Sequence, residues 1–479
     1  MKRIIFTLCS AALISFVAQA KIELPSVFGD NMVLQQQTDA AVWGKAKAGA
    51  KVTIAPSWTK TKTIVTAGDD GKWSTRIATP AAGGPYSITF SDGEKTVIDN
   101  VLIGEVWYCS GQSNMEMPIK GWAGQGVEGS IDAVVSANPD TPVRIFHVKR
   151  RPAFSPMEDV IGKWALNTPE TVAETSATAY FFAVKLQQSL RIPIGIVVSE
   201  WGGTPIRTWM NEETVRQFKG EVDVKHLDAR KSDDKYPSHL ASTLYNGQVH
   251  GLVPFTFKGQ IWYQGCSDRH EPELYSRLQP AYVKMWREIF QIPDAPFYFV
   301  QIAPFIYSDV NGCDRAFQNE AQAKTLDLVP NTGMVTTLDC GEKDTIHPRY
   351  KKTVGNRLAY LALQQTYGIK GFDAVAPRYK GMEIKGDKIE ITFTTRYLMP
   401  MRVLLNGFEI AGADKQFHPA TAIYNQKIGA AIVSCPDVPA PVAVRYGWRN
   451  WVKTDFTNLG GIPVAPFRTD DWEYEPATK

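Results

Sequence analysis

The sequence predicts an α/β domain with a parallel central sheet, flanked by all-β regions on its N- and C-terminal sides. Between about Val101 and Gly368, short apolar runs alternate with longer amphipathic ones, as parallel strands alternate with the helices that cover them. On either side, the runs are short, alternate apolar with polar residues, and are punctuated by Gly and Pro. We therefore expect three folded regions, 21–100, 101–368 and 369–479.

The first 20 residues are predicted to be a secretory signal peptide. Lys2 and Arg3 precede an apolar run over residues 4–17, and Ala18-Gln19-Ala20 is a small-x-small cleavage site. The run is shorter than a typical membrane-spanning helix, although a membrane anchor is the alternative. We expect a secreted or periplasmic protein with no membrane span after removal of the signal.

Region 21–100 is predicted to be a small β-sandwich-like domain, and region 369–479 a second β-rich domain. Two Asp-Gly turns, at 69–71 and 91–93, lie beside alternating runs in the first region. The strand candidates of the two regions are Lys51–Ile54, Lys62–Val65, Tyr86–Phe90, Lys388–Phe393 and Val442–Tyr446.

The central region supplies the strands and helices of the predicted parallel sheet. Its strand candidates are Ile103–Tyr108, Val143–Val148, Ile194–Ser199, Gly259–Tyr263, Phe297–Ile302 and Met334–Leu338. Its helix candidates are Ala179–Leu190, Pro280–Phe290, Ala316–Leu326 and Tyr350–Gln364. In such sheets, functional sites form at the carboxyl ends of the strands.

Composition narrows the possible partners. The chain has 52 Lys and Arg against 49 Asp and Glu, which gives no basic surface for nucleic acid. Five cysteines follow residue 20, an odd number, so at least one thiol is free or pairs between chains. The sequence has no CxxC motif and no Cys/His ligand spacing, so we expect no metal site.

A serine in a tight turn is the first candidate for chemistry. Ser113 lies in Cys-Ser-Gly-Gln-Ser-Asn-Met, directly after the strand candidate Ile103–Tyr108. Such a turn exposes a hydroxyl above the end of the sheet, where backbone N–H groups can stabilise developing negative charge. Most serines in such turns only cap helices, so this motif alone is weak.

Three further motifs follow other strand ends. Asp344 and His347 lie on one loop, as a general base and the carboxylate that orients it would. Gly202 and Gly203 follow the strand that begins at Ile194, and glycines allow backbone N–H groups to approach a ligand. Gln264 follows Gly259–Tyr263 and has a side-chain N–H donor. Each motif alone has an ordinary structural explanation, but their joint appearance is informative.

Taken together, these stretches resemble the SGNH-type hydrolases and, within them, the bacterial sialate O-acetylesterase family. The matching stretches are Leu24–Gln36, Gly111–Met115, Trp201–Pro205, Ile261–Gly265, Asp344–His347 and Pro466–Asp470. They span nearly the whole chain after residue 20. The resemblance implies a flavodoxin-like parallel sheet and the hydrolysis of acetyl esters on sialic acids without any cofactor.

The resemblance also implies residue roles. Ser113 is expected to be the nucleophile, His347 the general base and Asp344 its orienter. The N–H groups of Ser113 and Gly203, or of the neighbouring Gly202, are expected to form the oxyanion hole with the side chain of Gln264.

The chain departs from the family pattern after Gln264. Cys266 stands where the family usually has Glu, and Asp268 where it has Asn. Cys266 is an alternative nucleophile, since Arg269 and His270 follow it and would lower its pKa.

The substrate is less well defined by the sequence. Arg207 would pair either with a sialic acid carboxylate or with a nearby acidic residue. Trp201 and Glu200 are further substrate-binding candidates, although Trp107, Trp201, Trp209 and Trp262 are also suited to core packing. Acetylated xylan or another polysaccharide is the alternative substrate. A glycoside hydrolase and a noncatalytic glycan-binding protein are the other classes, but no facing carboxylates are visible in the sequence.

Overall fold

The computed structural model of the protein describes residues 21–307, 309, 312–400 and 403–473. The predicted signal peptide lies outside the described residues. Over the residues that are described, no helix is long and apolar enough to cross a membrane.

The N-terminal region is a set of short β-strands that ends in one long strand. The strands are β1 (Val33–Gln35), β2 (Asp39–Lys45), β3 (Lys51–Pro56), β4 (Thr63–Thr66), β5 (Lys72–Ala78), β6 (Gly83–Ser91) and β7 (Lys95–Gly111). β3 lies between β4 and β6, β6 pairs antiparallel with β7, and β2 pairs with β5. Alternate residues of β3 are buried, as expected for a strand that covers a core on one face.

β7 joins this region to the rest of the protein. It is 17 residues long, and every residue from Val101 to Gly111 is buried. Its first part pairs with β6, and its last part, from Glu105, pairs with strands of the central sheet. The predicted boundary between residues 100 and 101 therefore falls within a continuous strand. One hydrophobic core contains residues of both regions, among them Trp73 and Trp286.

The central sheet has parallel strands, as the sequence predicted. After β7 they are β8 (Val143–His147), β10 (Ile194–Glu200), β11 (Gly259–Tyr263), β12 (Phe297–Val300) and β13 (Thr332–Val335), with the short antiparallel strand β9 (Trp164–Leu166) at one edge. The order is β13-β12-β11-β7-β10-β8-β9. Successive strands lie on one side of β7 and then on the other, so the end of β7 is a topological switch point, where ligands bind in α/β proteins.

Helices cover this sheet. They are α1 (Ser113–Glu116), α2 (Ser130–Val135), α3 (Pro169–Glu174), α4 (Ala177–Leu190), α5 (Glu212–Arg216), α6 (Lys225–Ala229), α7 (Pro272–Ile289), α8 (Asp314–Leu328) and α9 (Lys351–Leu361). α4, α8 and α9 lie where helices were predicted. α7 begins eight residues before the predicted Pro280, because Pro272 provides a good first helical residue and Pro280 is accommodated inside the helix.

The C-terminal region is a separate β structure with its own core. Its strands are β14 (Tyr379–Lys385), β15 (Lys388–Phe393), β16 (Leu398–Pro400), β17 (Phe408–Ala411), β18 (Phe417–Pro419), β19 (Thr421–Asn425), β20 (Ala430–Ser434), β21 (Ala443–Tyr446), β22 (Phe456–Asn458) and β23 (Phe467–Arg468). The buried Arg315 of α8 binds this region through the carbonyl of Arg449, with Nε 3.1 Å from the oxygen. The predicted α/β fold with flanking β regions is thus confirmed.

Candidate functional site

The loops after β7, β10 and β11 meet at one end of the sheet. Gly111 of β7 lies opposite Glu200 of β10 on one side and Tyr263 of β11 on the other. A Cβ at Gly111, where φ is +149°, would lie 2.2 Å from the carbonyl oxygen of Tyr263. Only glycine is accommodated there, and the close approach brings the serine turn against the neighbouring loop.

Ser113 is the first residue of α1 and is half-buried. A Cβ built on Gly202 would lie 3.3 Å from the Cβ of Ser113. The loop that contains Gly202 and Gly203, here called the glycine loop, therefore packs directly against the predicted nucleophile. In the described structure, the backbone N–H groups of Ser113 and Gly203 have no protein acceptor. These are the two backbone donors that the sequence predicted for the oxyanion hole.

Gly202 has a different role from Gly203. Its N–H donates to Oε2 of Glu116 at 2.5 Å, and Glu116 in turn pairs with Arg150 at 2.8 Å. Gly203 is exposed and has a φ of +74°. Of the two glycines considered, Gly203 is therefore the one whose N–H is free to bind a ligand.

Gln264 is not placed as an oxyanion donor. Its side chain is fully buried, and its amide nitrogen donates to the carbonyl of Thr204 at 3.1 Å and to Oδ2 of Asp268 at 2.5 Å. Its oxygen accepts from the hydroxyl of Tyr275 at 3.0 Å. Both amide protons are thus in use, which corrects the predicted role, and Gln264 instead joins the end of β11 to the glycine loop.

Asp268 completes this connection between loops. Its Oδ2 also accepts from the N–H of Ile206 at 3.1 Å, and the side chain is almost completely buried. Burial raises the pKa of Asp268 to about 6, although the charge of Arg207 opposes the rise. Asp268, which stands where the family usually has Asn, therefore holds the chain just after the glycine loop through the N–H of Ile206.

His347 contacts a turn that sequence reasoning did not identify. Its Nδ1 lies 3.1 Å from Oε1 of Gln125, and its ring packs edge-on against Trp122 with centroids 5.0 Å apart. When Nδ1 donates to Gln125, Nε2 of the neutral ring is left as a proton acceptor, the state that a general base needs. Burial and the charge of Lys351 lower the pKa of His347 to about 4.

Asp344 does not reach His347 in this structure. Its side chain is exposed, and no hydrogen bond or ion pair between the two residues is present among the described contacts. The N–H of His347 donates to Oγ1 of Thr345 at 3.1 Å in a local turn. The predicted orienting contact is made by Gln125 instead. Ser113 and His347 also make no hydrogen bond with each other in the described structure.

Cys266 is unsuited to the alternative role of nucleophile. The side chain is buried, and this burial raises the pKa of its thiol to about 11. Arg269 stacks on the ring of Tyr307 at 4.5 Å, and its charge lowers the pKa of Cys266 less than burial raises it. Because the thiolate is the reactive form, this environment disfavours Cys266 as the nucleophile.

The predicted substrate-binding residues are largely occupied by the protein itself. Arg207 pairs with Glu271 at 3.2 Å and lies 3.8 Å from Asp268, so it meets acidic residues as the alternative interpretation expected. Glu200 is buried, and its Oε1 lies 2.9 Å from Nε2 of His147. Trp201 is half-buried against the hydrophobic core. Trp107, Trp209 and Trp262 are fully buried and serve packing.

One exposed imidazole lies beside the glycine loop. Nε2 of His239 is 3.6 Å from the position of a Cβ on Gly203, so the ring lies close to this glycine. Tyr236, 54% exposed, stacks on His239 with centroids 5.5 Å apart. No strand end or motif marks these residues in the sequence, because the loop that carries them is irregular.

The described residues contain no group of three or more His, Cys, Asp or Glu side chains that could hold a metal ion. A glycoside hydrolase would need two carboxylates that face each other across a cleft. Glu105 of β7 is buried and accepts hydrogen bonds from Gln36 at 2.6 Å and Tyr367 at 2.8 Å. It therefore does not face Glu200 or Asp268 across an open cleft.

Comparison with known proteins identifies the family. A family model described as carbohydrate esterase, sialic acid-specific acetylesterase, matches residues 103–364, more than half of the chain. A sialate O-acetylesterase from Homo sapiens is 29% identical over 472 residues, which cover 89% of this chain and 87% of the human protein. A sialate O-acetylesterase from Rattus norvegicus is 27% identical, with 89% of each chain covered.

A solved structure extends the similarity to the whole architecture. The crystal structure of a carbohydrate acetylesterase from Xanthomonas citri superposes with a TM-score of 0.85 at 34% identity, over 94% of this chain and 100% of that one. The glycoside hydrolase and noncatalytic alternatives find no support in these comparisons. The chain belongs to the carbohydrate esterase family of sialic acid-specific acetylesterases, and it is a carboxylic ester hydrolase.

Proposed function

We propose that this enzyme is a secreted or periplasmic sialate O-acetylesterase that hydrolyses acetyl esters through a serine acyl-enzyme. The observation that carries the mechanism is the position of Ser113 against the glycine loop, with the N–H groups of Ser113 and Gly203 free of protein acceptors. The names of the human and rat relatives, both sialate O-acetylesterases, support sialic acid as the sugar.

The reaction proceeds in two acyl-transfer steps. Nε2 of His347 removes the hydroxyl proton of Ser113 as Oγ bonds to the acetyl carbonyl carbon. The bond from that carbon to the sugar oxygen breaks, and the imidazolium gives the proton to the leaving sugar oxygen. Water, deprotonated by the same imidazole, then attacks the carbonyl carbon of acetyl-Ser113. The bond from that carbon to Oγ breaks, acetate is released, and the imidazolium returns the proton to Oγ. Apo hydrogen bonds between such groups are often long and tighten when substrate binds.

Negative charge on the carbonyl oxygen is stabilised by the two free backbone donors. One preorganised donor of this kind contributes about 2.7–4 kcal/mol to the barrier reduction. Gln125 keeps the proton of His347 on Nδ1, so that Nε2 is unprotonated and can accept the proton of Ser113.

Ser113→Ala tests the mechanism. We expect the variant to remain folded and to lose several orders of magnitude in acetate release from 4-nitrophenyl acetate. Ser136→Ala, at an exposed serine that follows α2, is the matched control and should retain full activity. An acetylated Ser113 peptide, trapped by rapid quenching of the wild type, would identify the intermediate directly. Undiminished turnover by Ser113→Ala would sink the proposal.

The sugar is decided by a substrate comparison. We expect the wild type to release acetate from O-acetylated sialic acids with a higher kcat/KM than from acetylated xylan. The opposite ranking would establish the polysaccharide alternative while leaving the acyl-enzyme mechanism intact.

Two variants separate the candidate orienters of His347. Because Gln125 contacts Nδ1 and Asp344 is exposed, Gln125→Ala should lower kcat about tenfold and Asp344→Ala less than about threefold. The reverse ranking would mean that Asp344 replaces Gln125 once substrate is bound.

Secretion is tested at the N-terminus. Mass spectrometry of the protein recovered outside the cytoplasmic fraction should find a chain that begins at Lys21. An intact N-terminus on the whole cellular pool would contradict this part of the proposal.

A further inference from the structure

Lys351 is a buried cation that the proposed mechanism does not use. It is the first residue of α9, and only 1% of its surface is exposed. Its Nζ donates to Oδ1 of Asn114 at 2.7 Å and to the carbonyl of Pro348 at 2.6 Å. An amine removed from water needs such partners, since burial of an unpaired charge is costly.

Asn114 is bonded at both ends of its amide. While its oxygen accepts from Lys351, its nitrogen donates to the carbonyl of Ile346 at 3.0 Å. Ile346 and Pro348 are the residues on either side of His347, and Asn114 directly follows Ser113. Three hydrogen bonds thus hold the residues on both sides of the base and connect them to the residue next to the nucleophile.

We infer that Lys351 is a positioning residue, which acts through Asn114 and Pro348 to hold the His347 loop in register with Ser113. This inference rests on the proposed acyl-enzyme mechanism. These three hydrogen bonds explain how the loop is held although Asp344 makes no contact with the ring of His347. A misplacement of about 1 Å between reacting groups can reduce a rate about 100-fold. The loss of even one or two of these hydrogen bonds should therefore lower kcat measurably.

Lys351 also acts on His347 through its charge. Burial lowers the pKa of Lys351 to about 7, against the opposing influence of Cys340, Cys266 and Glu342. The remaining positive charge contributes to the low pKa of His347, after the larger effect of burial. The turn that contacts the ring of His347 presents the uncharged Trp122 and Gln125. The exposed Asp344 is on the loop of His347 itself.

The test is Lys351→Met, with Lys352→Met as the matched control. Lys352 is the next residue on the same helix and is exposed. For Lys351→Met we expect kcat to fall about 10- to 100-fold on both 4-nitrophenyl acetate and an acetylated sugar, with KM changed less than about threefold. The acid limb of the kcat/KM profile should also move to higher pH. Lys352→Met should match the wild type in every measurement.

An NMR titration supplies a readout that does not depend on turnover. The ring signals of His347, identified by their absence in His347→Gln, should titrate at a higher pH in Lys351→Met than in the wild type. A folded Lys351→Met enzyme with kcat within twofold of the wild type and an unchanged His347 titration overturns the inference. Should Lys351→Met fail to fold, Asn114→Ala decides the matter, because it removes the Ile346 and Lys351 contacts together. Wild-type kcat in that variant also overturns the inference.

These outcomes are distinct from a failure of the proposed function. Full activity of Ser113→Ala would reject the acyl-enzyme mechanism whatever Lys351→Met does. An inactive Ser113→Ala together with a fully active Lys351→Met would reject only the positioning role.

Discussion

The loops after β10 and β11 flank the same serine turn, but they use their hydrogen-bond donors in opposite ways. In the loop after β10, the N–H of Gly203 has no protein acceptor in the described structure, and the residue is exposed with a φ of +74°. In the loop after β11, every amide proton of the fully buried Gln264 is bonded within the protein. The free donor thus belongs to an exposed backbone loop, whereas the bonded amide lies in the interior.

The largest loss of activity is expected from a substitution in the loop after β10. Gly203→Ala places a side chain on backbone with positive φ, 3.6 Å from Nε2 of His239, and should tilt the free N–H away from the oxyanion. We expect kcat/KM for 4-nitrophenyl acetate to fall about 100-fold. Gly49→Ala is the matched control, because Gly49 has a φ of +72° and no atom within 4 Å of its missing Cβ. Equal activity of the two variants would remove Gly203 from the oxyanion hole.

A smaller loss of activity is expected from a substitution in the loop after β11. Gln264→Ala removes one hydrogen-bond partner from the buried hydroxyl of Tyr275 and one from the carboxylate of Asp268, which should reduce the free energy of unfolding by about 1–3 kcal/mol. The folded variant should retain kcat within about tenfold. Gln260→Ala, on β11 and bonded to the hydroxyl of Tyr282, controls for the general cost of a lost buried amide. A 100-fold loss of kcat confined to Gln264→Ala would mean that Gln264 turns to face the oxyanion during the reaction.

The smallest effect is a pH-dependent one at Asp268. Its pKa in the folded protein, about 6, is above the value near 3.9 expected for an unfolded chain. The stability that the protonated acid contributes is complete below about pH 4 and is lost as the pH rises through 6. Asp268→Asn keeps a neutral side chain at every pH. We therefore expect its Tm to exceed that of the wild type by a few degrees at pH 8 and to match it at pH 4. An equal difference at both pH values would contradict this account.

The sequence predicted the parallel sheet well. Apolar runs in β7, β10 and β11 set the strand ends, and parallel pairing then brings Ser113 and Gly203 together without any knowledge of side-chain packing. The departure at Asp268 was also visible in the sequence.

Side-chain roles were harder to predict, because they depend on partners distant in sequence. Gln264 is bonded to Thr204, and His347 to Gln125, 222 residues away. A DxxH spacing shows that Asp344 and His347 share a loop but not which way each side chain points. His239 and Lys351 lie in stretches without a motif, so only the folded chain shows what they contact.

The continuity of β7 has a consequence for any attempt to separate the regions. A chain that begins at residue 101 would retain Glu105–Gly111 but lose β6, which pairs with β7 as far as Ile103. The freed edge would present unpaired backbone N–H and C=O groups beside exposed core residues, a known template for aggregation. The N-terminal region is thus a part of the esterase itself rather than a module that can be exchanged between enzymes.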